Sequence, residues 1–188
     1  MKKIIIITGL LFCVLALNAQ ETKTNLKVQL GIGYPVNFAE LKNAPLYRVS
    51  SDIHLSGKHY LKFHFDAFSS AIENSINTID YIHTDFYQVI GLGYSYYFIE
   101  SSKFDVSASL NLNYTKVNQT HLLETSQWGD YFQWEPGVIN TFGFSPNLKI
   151  DYKISNKLFI GLNGNVYAYA YKMEKLMYSA NIHLGFNL

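Results

Sequence analysis

From Leu26 onward the chain alternates apolar and polar residues with a period of two, and it does so in eight separate segments. That period belongs to β-strands whose two faces meet different environments, and it excludes helical packing over the same residues. In the fifth segment Phe104, Val106, Ala108, Leu110, Leu112 and Tyr114 alternate without a slip against Asp105, Ser107, Ser109, Asn111, Asn113 and Thr115. The other seven begin near Leu26, Tyr47, Leu61, Phe86, Phe142, Leu158 and Tyr178. Each runs for about 9–14 residues, enough for a tilted strand to cross a bilayer, which takes ~9–11. Pro146 interrupts the sixth segment, and because proline cannot donate to a ladder a bulge is predicted there.

The connections alternate too. Ser56 to Lys58, Ile99 to Lys103 and Ser155 to Lys157 read as short turns. Pro35 to Pro45, Ser69 to Thr84 and Val117 to Pro136 read as long loops, with Lys172 to Leu176 intermediate. Short turns at one end and long loops at the other is the layout of an outer-membrane barrel, with periplasmic turns, extracellular loops and, for an even strand count, both termini in the periplasm.

Alternation does not by itself say which face points outward. The polar face is rich in Gly, Ser and Asn while the apolar face is bulky, and the interior of an eight-stranded barrel holds only modest side chains. The small set therefore goes inside. Aromatics, with Tyr 15 and Phe 13 in the chain, gather on the apolar face at the strand ends. Tyr34, Tyr47, Phe86, Tyr114, Phe142 and Tyr178 mark the loop end, and Phe98, Phe104, Tyr152 and Phe186 the turn end, as lipid-facing girdles require. A soluble lipocalin-like barrel is the rival fold and needs the apolar face inside.

Ahead of the strands, Met1 to Gln20 carries Lys2 and Lys3, an apolar run from Ile4 to Leu17, and small residues at Asn18 and Ala19. This is the three-part pattern of a secretory signal, with residues 1–19 removed and 20–188 forming the barrel domain. The run is shorter than the roughly 20 residues of a membrane-spanning helix. Cys13, the single cysteine, falls within it, and bulky Phe12 before it argues against lipidation. With Lys2 and Lys3 taken from the 15 basic residues, 13 remain against 14 acidic. Nucleic acid needs a basic excess on one face, so it is excluded as a partner.

The last segment sets Tyr178, Ile182, Leu184, Phe186 and Leu188 in alternate positions. Here the chain resembles the eight-stranded outer-membrane barrels of the OmpA and OmpX type, whose final strand carries such a signal for the barrel-insertion machinery. The family usually ends on Phe, whereas this chain ends Phe186-Asn187-Leu188. Length and Tyr and Asn content are similar to those of small barrels of Bacteroidota. The resemblance spans residues 20–188 and implies an all-β, eight-stranded antiparallel up-and-down transmembrane barrel in the cell outer membrane, with outer-membrane lipid and the insertion machinery as partners.

With the polar face inward, an ion network is predicted in the lumen from Arg48, Asp52, His54, Lys62, His64, Asp66, Asp105, Lys149, Asp151 and His183, joined by Lys153. Buried charges must pair or be hydrated, so the signs should interleave. Such pairs hold a barrel closed; the sharper alternative is a gated pore in which Arg48 and Asp66 change partners. In the third loop Trp128, Tyr131, Phe132 and Trp134 crowd within seven residues, an aromatic patch suited to a glycan or protein partner, or to head groups. His83, Thr84 and Asp85, and His121, Glu124 and Ser126, are the polar clusters where catalysis would be sought, but neither forms a motif. No cofactor is implied. His59 and His64 lie five residues apart, and their spacing does not make a metal site. Gly31 with Gly33 and Gly91 with Gly93 sit inside strands, where they relieve crowding against lumen side chains.

The expected function is therefore a non-enzymatic surface protein with a structural or adhesion-type role. A small-solute pore, a component of a secretion or assembly machine and a lipid-modifying enzyme are the rivals.

Overall fold

The computed structural model describes residues 26–37, 41–43, 45–76, 79–125, 132–169 and 176–188, with side chains for 26–35, 45–69, 85–119, 137–169 and 176–188. Residues 1–19, read as a signal, lie outside them. The described residues form strands and turns and contain no helix. The strands are β1 (Leu26–Asn37), β2 (Leu41–Asn43), β3 (Leu46–Ser56), β4 (His59–Ile76), β5 (Ile79–Glu100), β6 (Phe104–Thr125), β7 (Phe132–Lys153), β8 (Leu158–Tyr169) and β9 (Met177–Asn187). β2 is a short addition to the upper edge of β4. The other eight pair with their sequence neighbours, and β1 also pairs with β9, closing the sheet into an antiparallel up-and-down barrel.

Closure fixes the stagger. From Lys27 the partners run through Asp52, Lys62, Gly93, Asn111 and Ser145, and then in the same register across β8 and Met177 back to β1 at Asn37, ten residues from the start. A stagger of this kind requires strands inclined to the barrel axis, typically by about 35–45°.

The apolar face points out. Leu30, Ile32, Leu92, Leu110, Leu112, Phe144, Leu148, Leu162, Ile182 and Leu184 are all exposed, Leu112 by 74%. The polar face points in, with Asp52, Asp66, Asn111, Thr115 and Ser145 wholly buried. Such a surface is stable only in hydrocarbon, because a soluble protein rarely exposes an apolar area of this extent. The inside-out, lipocalin-like alternative is thereby overturned. The girdle residues of both ends lie on the outer face, with Phe98, Phe104, Tyr152 and Phe186 each a little over 40% exposed. Leu26 departs from its set and is buried beside the last strand, where its amide and carbonyl bond to Leu188.

Two sequence expectations are corrected. β4 to β7 are 18 to 22 residues long, twice what a bilayer crossing requires. Segments 69–84 and 117–136 are thus mostly paired hairpin arms: Ile76 faces Ile79 and Thr125 faces Phe132. Above the lipid both faces of a ladder meet water, so pairing continues after the apolar alternation has stopped. Pro146 makes no bulge. Its pairing to Leu110 of β6 is in register, while on the β8 side the ladder omits Ser145 and Pro146 between Phe144–Ala168 and Asn147–Asn165 without a shift. A missing N–H removes ladder bonds on one side only.

Candidate functional site

Parity along each strand decides which side chains enter the lumen, and strand register decides which of them meet. Arg48 on β3 faces Asp66 on β4 in the ladder. Its Nε donates to Asp66 Oδ1 at 2.5 Å and its Nη2 to Oδ2 at 2.6 Å, a bidentate pair. Tyr167, from the far wall, donates its hydroxyl to Asp66 Oδ2 and accepts from Arg48 Nη2, each at 2.6 Å. His64 lies 3.6 Å from the same carboxylate.

A second cluster lies nearer the turns. Lys149 Nζ reaches Asp52 at 2.5 Å and Asp151 at 3.3 Å. Asp52 Oδ2 also accepts from the Tyr97 hydroxyl at 2.6 Å and the Gln29 amide at 3.0 Å. His183 Nε2 is 2.6 Å from Asp151 Oδ1. Lys62, one ladder step from Asp52, crosses the lumen to donate to Asn147 Oδ1 at 3.1 Å. Asp105 receives Lys27 at 3.0 Å and Lys153 at 2.7 Å. Each carboxylate of the two clusters thus meets at least one cation, which offsets the cost of taking it out of water.

Nine of the ten residues predicted for the network enter it or lie beside it. His54 does not: it sits half-buried next to the β3–β4 turn, where its Nε2 lies 2.9 Å from the Gly57 carbonyl oxygen. Lys27, Gln29, Tyr97 and Tyr167 join without having been singled out. Lys27 and Gln29 share the polar parity of β1, a signal that was present. The two tyrosines look like girdle residues in sequence, and only their parity places them inside.

Among the described residues buried side chains pack across the lumen toward each end. Toward the loops Leu46, Phe68, Tyr87, Val89, Val117, Tyr167 and Met177 form one buried apolar collar, with the Phe68 and Tyr87 rings stacked 4.7 Å apart. Toward the turns Tyr60 and Tyr97 pack with centroids 4.3 Å apart, and Lys27 Nζ lies 4.0 Å from the Tyr97 centroid. Phe159 lies edge-on to His183. Between the plugs is a belt of Asn and Ser: Asn147 donates to Asn165 and to the Gly164 carbonyl, and Asn111 to the Ser145 carbonyl. Glycines make room for it. A Cβ at Gly91 would collide with His64 and Asn113, and one at Gly93 with Asn111.

Phe132 and Trp134 stand on the upper part of β7, while Trp128 and Tyr131 lie outside the described residues. Of the polar clusters considered for catalysis, Asp85 is buried near the loop end and accepts from Gln119 at 3.0 Å and from Tyr87. Ser126 lies outside the described residues, as do the side chains of His83, Thr84, His121 and Glu124. Among the described residues the Tyr94 hydroxyl is bonded to His59 Nδ1 on the outer face, no serine or threonine hydroxyl is bonded to a histidine, and no group of three His, Cys, Asp or Glu is placed to hold a metal. His59 is on the outer face against Tyr94 and Tyr96, away from His64. A cavity of about 510 Å³ lies on the outside of the wall, over Gly164 and Ala180, edged by Ile32, Leu148, Leu162 and Ile182.

No family model matches the sequence, and no curated protein matches it. Solved structures do. The outer membrane protein OprG from Pseudomonas aeruginosa is similar with a TM-score of 0.63 and 11% identity, over 88% of this chain and 95% of that one. Neisserial surface protein A follows with 0.56 and 11%, over 87% and 96%. Ail, the attachment invasion locus protein of Yersinia pestis, gives 0.54 and 10%, over 87% and 99%. The chain has the fold of the small eight-stranded outer-membrane barrels. At such identities the small-barrel likeness is one of fold, and function has to be argued from this chain's own residues.

Proposed function

We propose that this protein is a non-enzymatic barrel of the outer membrane, exported with the help of residues 1–19 and inserted by the barrel-insertion machinery, that acts through the hairpins at its loop end. The observation that carries this reading is the double plug. A lumen filled by an apolar collar above and packed tyrosines below, with its charges paired, serves closure and offers no continuous aqueous path. That argues against the pore and leaves the tall β4–β5 and β6–β7 hairpins as the exposed working surface. The termini are then periplasmic and the hairpins extracellular.

The chemistry of those hairpins narrows the ligand. Segments 69–84 and 117–136 contain Glu73, Asp80, Glu124, Asp130 and Glu135 and no Lys or Arg. One structure of Ail is a complex with the heparin analogue sucrose octasulfate. A polyanion of that kind would be repelled here. Trp128, Tyr131, Phe132 and Trp134 instead suit the C–H faces of an uncharged glycan, with neighbouring carboxylates and amides accepting from its hydroxyls. An array of neutral and sulfated oligosaccharides, probed with the folded protein in detergent, tests this. Signals on neutral glycans that vanish in a W128A/W134A variant are expected; binding confined to the sulfated set contradicts the reading. Planar-bilayer recording should show no regular conductance steps.

A further inference from the structure

The turn rim of the barrel repeats one arrangement three times. Each tight turn presents an exposed lysine next to outward-facing aromatic side chains of the girdle. At the β3–β4 turn Lys58 precedes His59, whose ring packs on Tyr94 and Tyr96 at 5.7 and 5.3 Å. At the β5–β6 turn Lys103 precedes Phe104, which packs on Tyr152 at 5.1 Å. At the β7–β8 turn the Lys157 carbonyl accepts from the amide of Asn187, next to Phe186.

Among the described residues these three lysines form no ion pair. Lys58 Nζ donates only to the Phe98 carbonyl, at 3.2 Å. Glu100, the acid of this rim, accepts from Tyr60 at 2.9 Å. Lys153 is different, because Asp105 and the Ser101 carbonyl already hold it.

We propose that the turn rim docks the head groups of anionic phospholipids, with Lys58, Lys103 and Lys157 meeting phosphate oxygens above the aromatic girdle. Girdle rings settle at the depth of the interface, so each ammonium is carried to the level of the phosphates. An unpaired ammonium there gains most from a lipid with net negative charge, since a zwitterionic head group already carries its own cation. Each lysine near such a surface contributes on the order of a few-fold in lipid preference. The loop end differs in its hairpins, where 69–84 and 117–136 carry acids and no Lys or Arg, while Lys42, Lys116, Lys172 and Lys175 lie elsewhere at that end. The docking rests on the lipid-facing reading of the barrel and is independent of what the hairpins bind.

The test is electron spin resonance of the folded protein in phosphatidylcholine vesicles containing spin-labelled phosphatidylglycerol or, separately, spin-labelled phosphatidylcholine. The expected result is a several-fold excess of motionally restricted phosphatidylglycerol that falls toward parity in 1 M salt and in a K58Q/K103Q/K157Q variant. Retention of the heat-modifiable gel band shows that the variant is folded. Equal restriction of the two lipids in the wild type, or a preference unchanged in the variant, overturns the proposal. Absence of any motionally restricted lipid would instead overturn the membrane-embedded barrel beneath it.

Discussion

Arg48 is buried, bidentate to Asp66 and shared with Tyr167, so its removal leaves a carboxylate and a phenol facing each other without a cation. Arg48→Ala should cost about 3–5 kcal/mol, the usual result of breaking one half of a buried pair. An Arg48→Met, Asp66→Leu double variant should regain most of that loss, measured by urea unfolding in lipid vesicles. Failure of the double variant to recover would mean the pair specifies the barrel as well as balancing charge. On the outer face Leu110→Arg, at a position 58% exposed to lipid, should cost about 2–4 kcal/mol near the midplane. Asn111→Ser, one residue away but inside, should be far milder. Parity made Arg48, Asp66, Asp52 and Lys149 legible in the sequence, because a charge at an inward position of a membrane strand has to find a partner. It set Tyr97 and Tyr167 on the inward face too, but not as partners of Asp52 and Asp66, since a phenol carries no charge that has to be paired. It placed His54 inside, where the ring packs edge-on against Tyr60 and lies by the Gly57 carbonyl without joining the ion pairs.

At the scale of strands, alternation located all eight crossings but not their upper ends. The signal requires the two faces to meet different environments. It fades above the lipid, and it also fades where the inward face turns apolar. At Val89 and Val117 the polarity changes sides: each is buried in the collar while its chain neighbours on the outer face include Gln88, Lys116 and Asn118, so the sequence there no longer marks which side is the lumen. The collar, on which the closed-lumen reading rests, was for this reason not legible. Because the arms of β6 and β7 above Asn118 and Val138 stand clear of the crossing, replacing residues 120–135 by a two-residue turn should leave the heat-modifiable band intact while abolishing glycan binding. Loss of the folded band would mean that the arms take part in barrel assembly. Gly93→Ala should have the opposite character. Its new methyl would meet the Leu110 carbonyl and Asn111, costing about 1–3 kcal/mol as overpacked interiors do, with the hairpins untouched.

For the whole molecule, the stagger of ten residues, the outward apolar wall and the ionic, doubly plugged lumen belong to one solution. Closing eight strands leaves no sheet edge in the bilayer and an interior that side chains can fill. Small Gly, Ser and Asn inside and large Leu, Ile and Phe outside are the sequence record of that geometry, and the direction of the two faces is the claim on which the rest depends. The most direct measurement is migration on SDS gels with and without boiling, after the protein has been folded from urea into detergent micelles or lipid vesicles and, in parallel, diluted into buffer alone. A band that shifts on boiling only after exposure to lipid or detergent is the predicted result. A protein that folds in plain buffer, stays soluble and shows no shift would contradict the outward apolar wall.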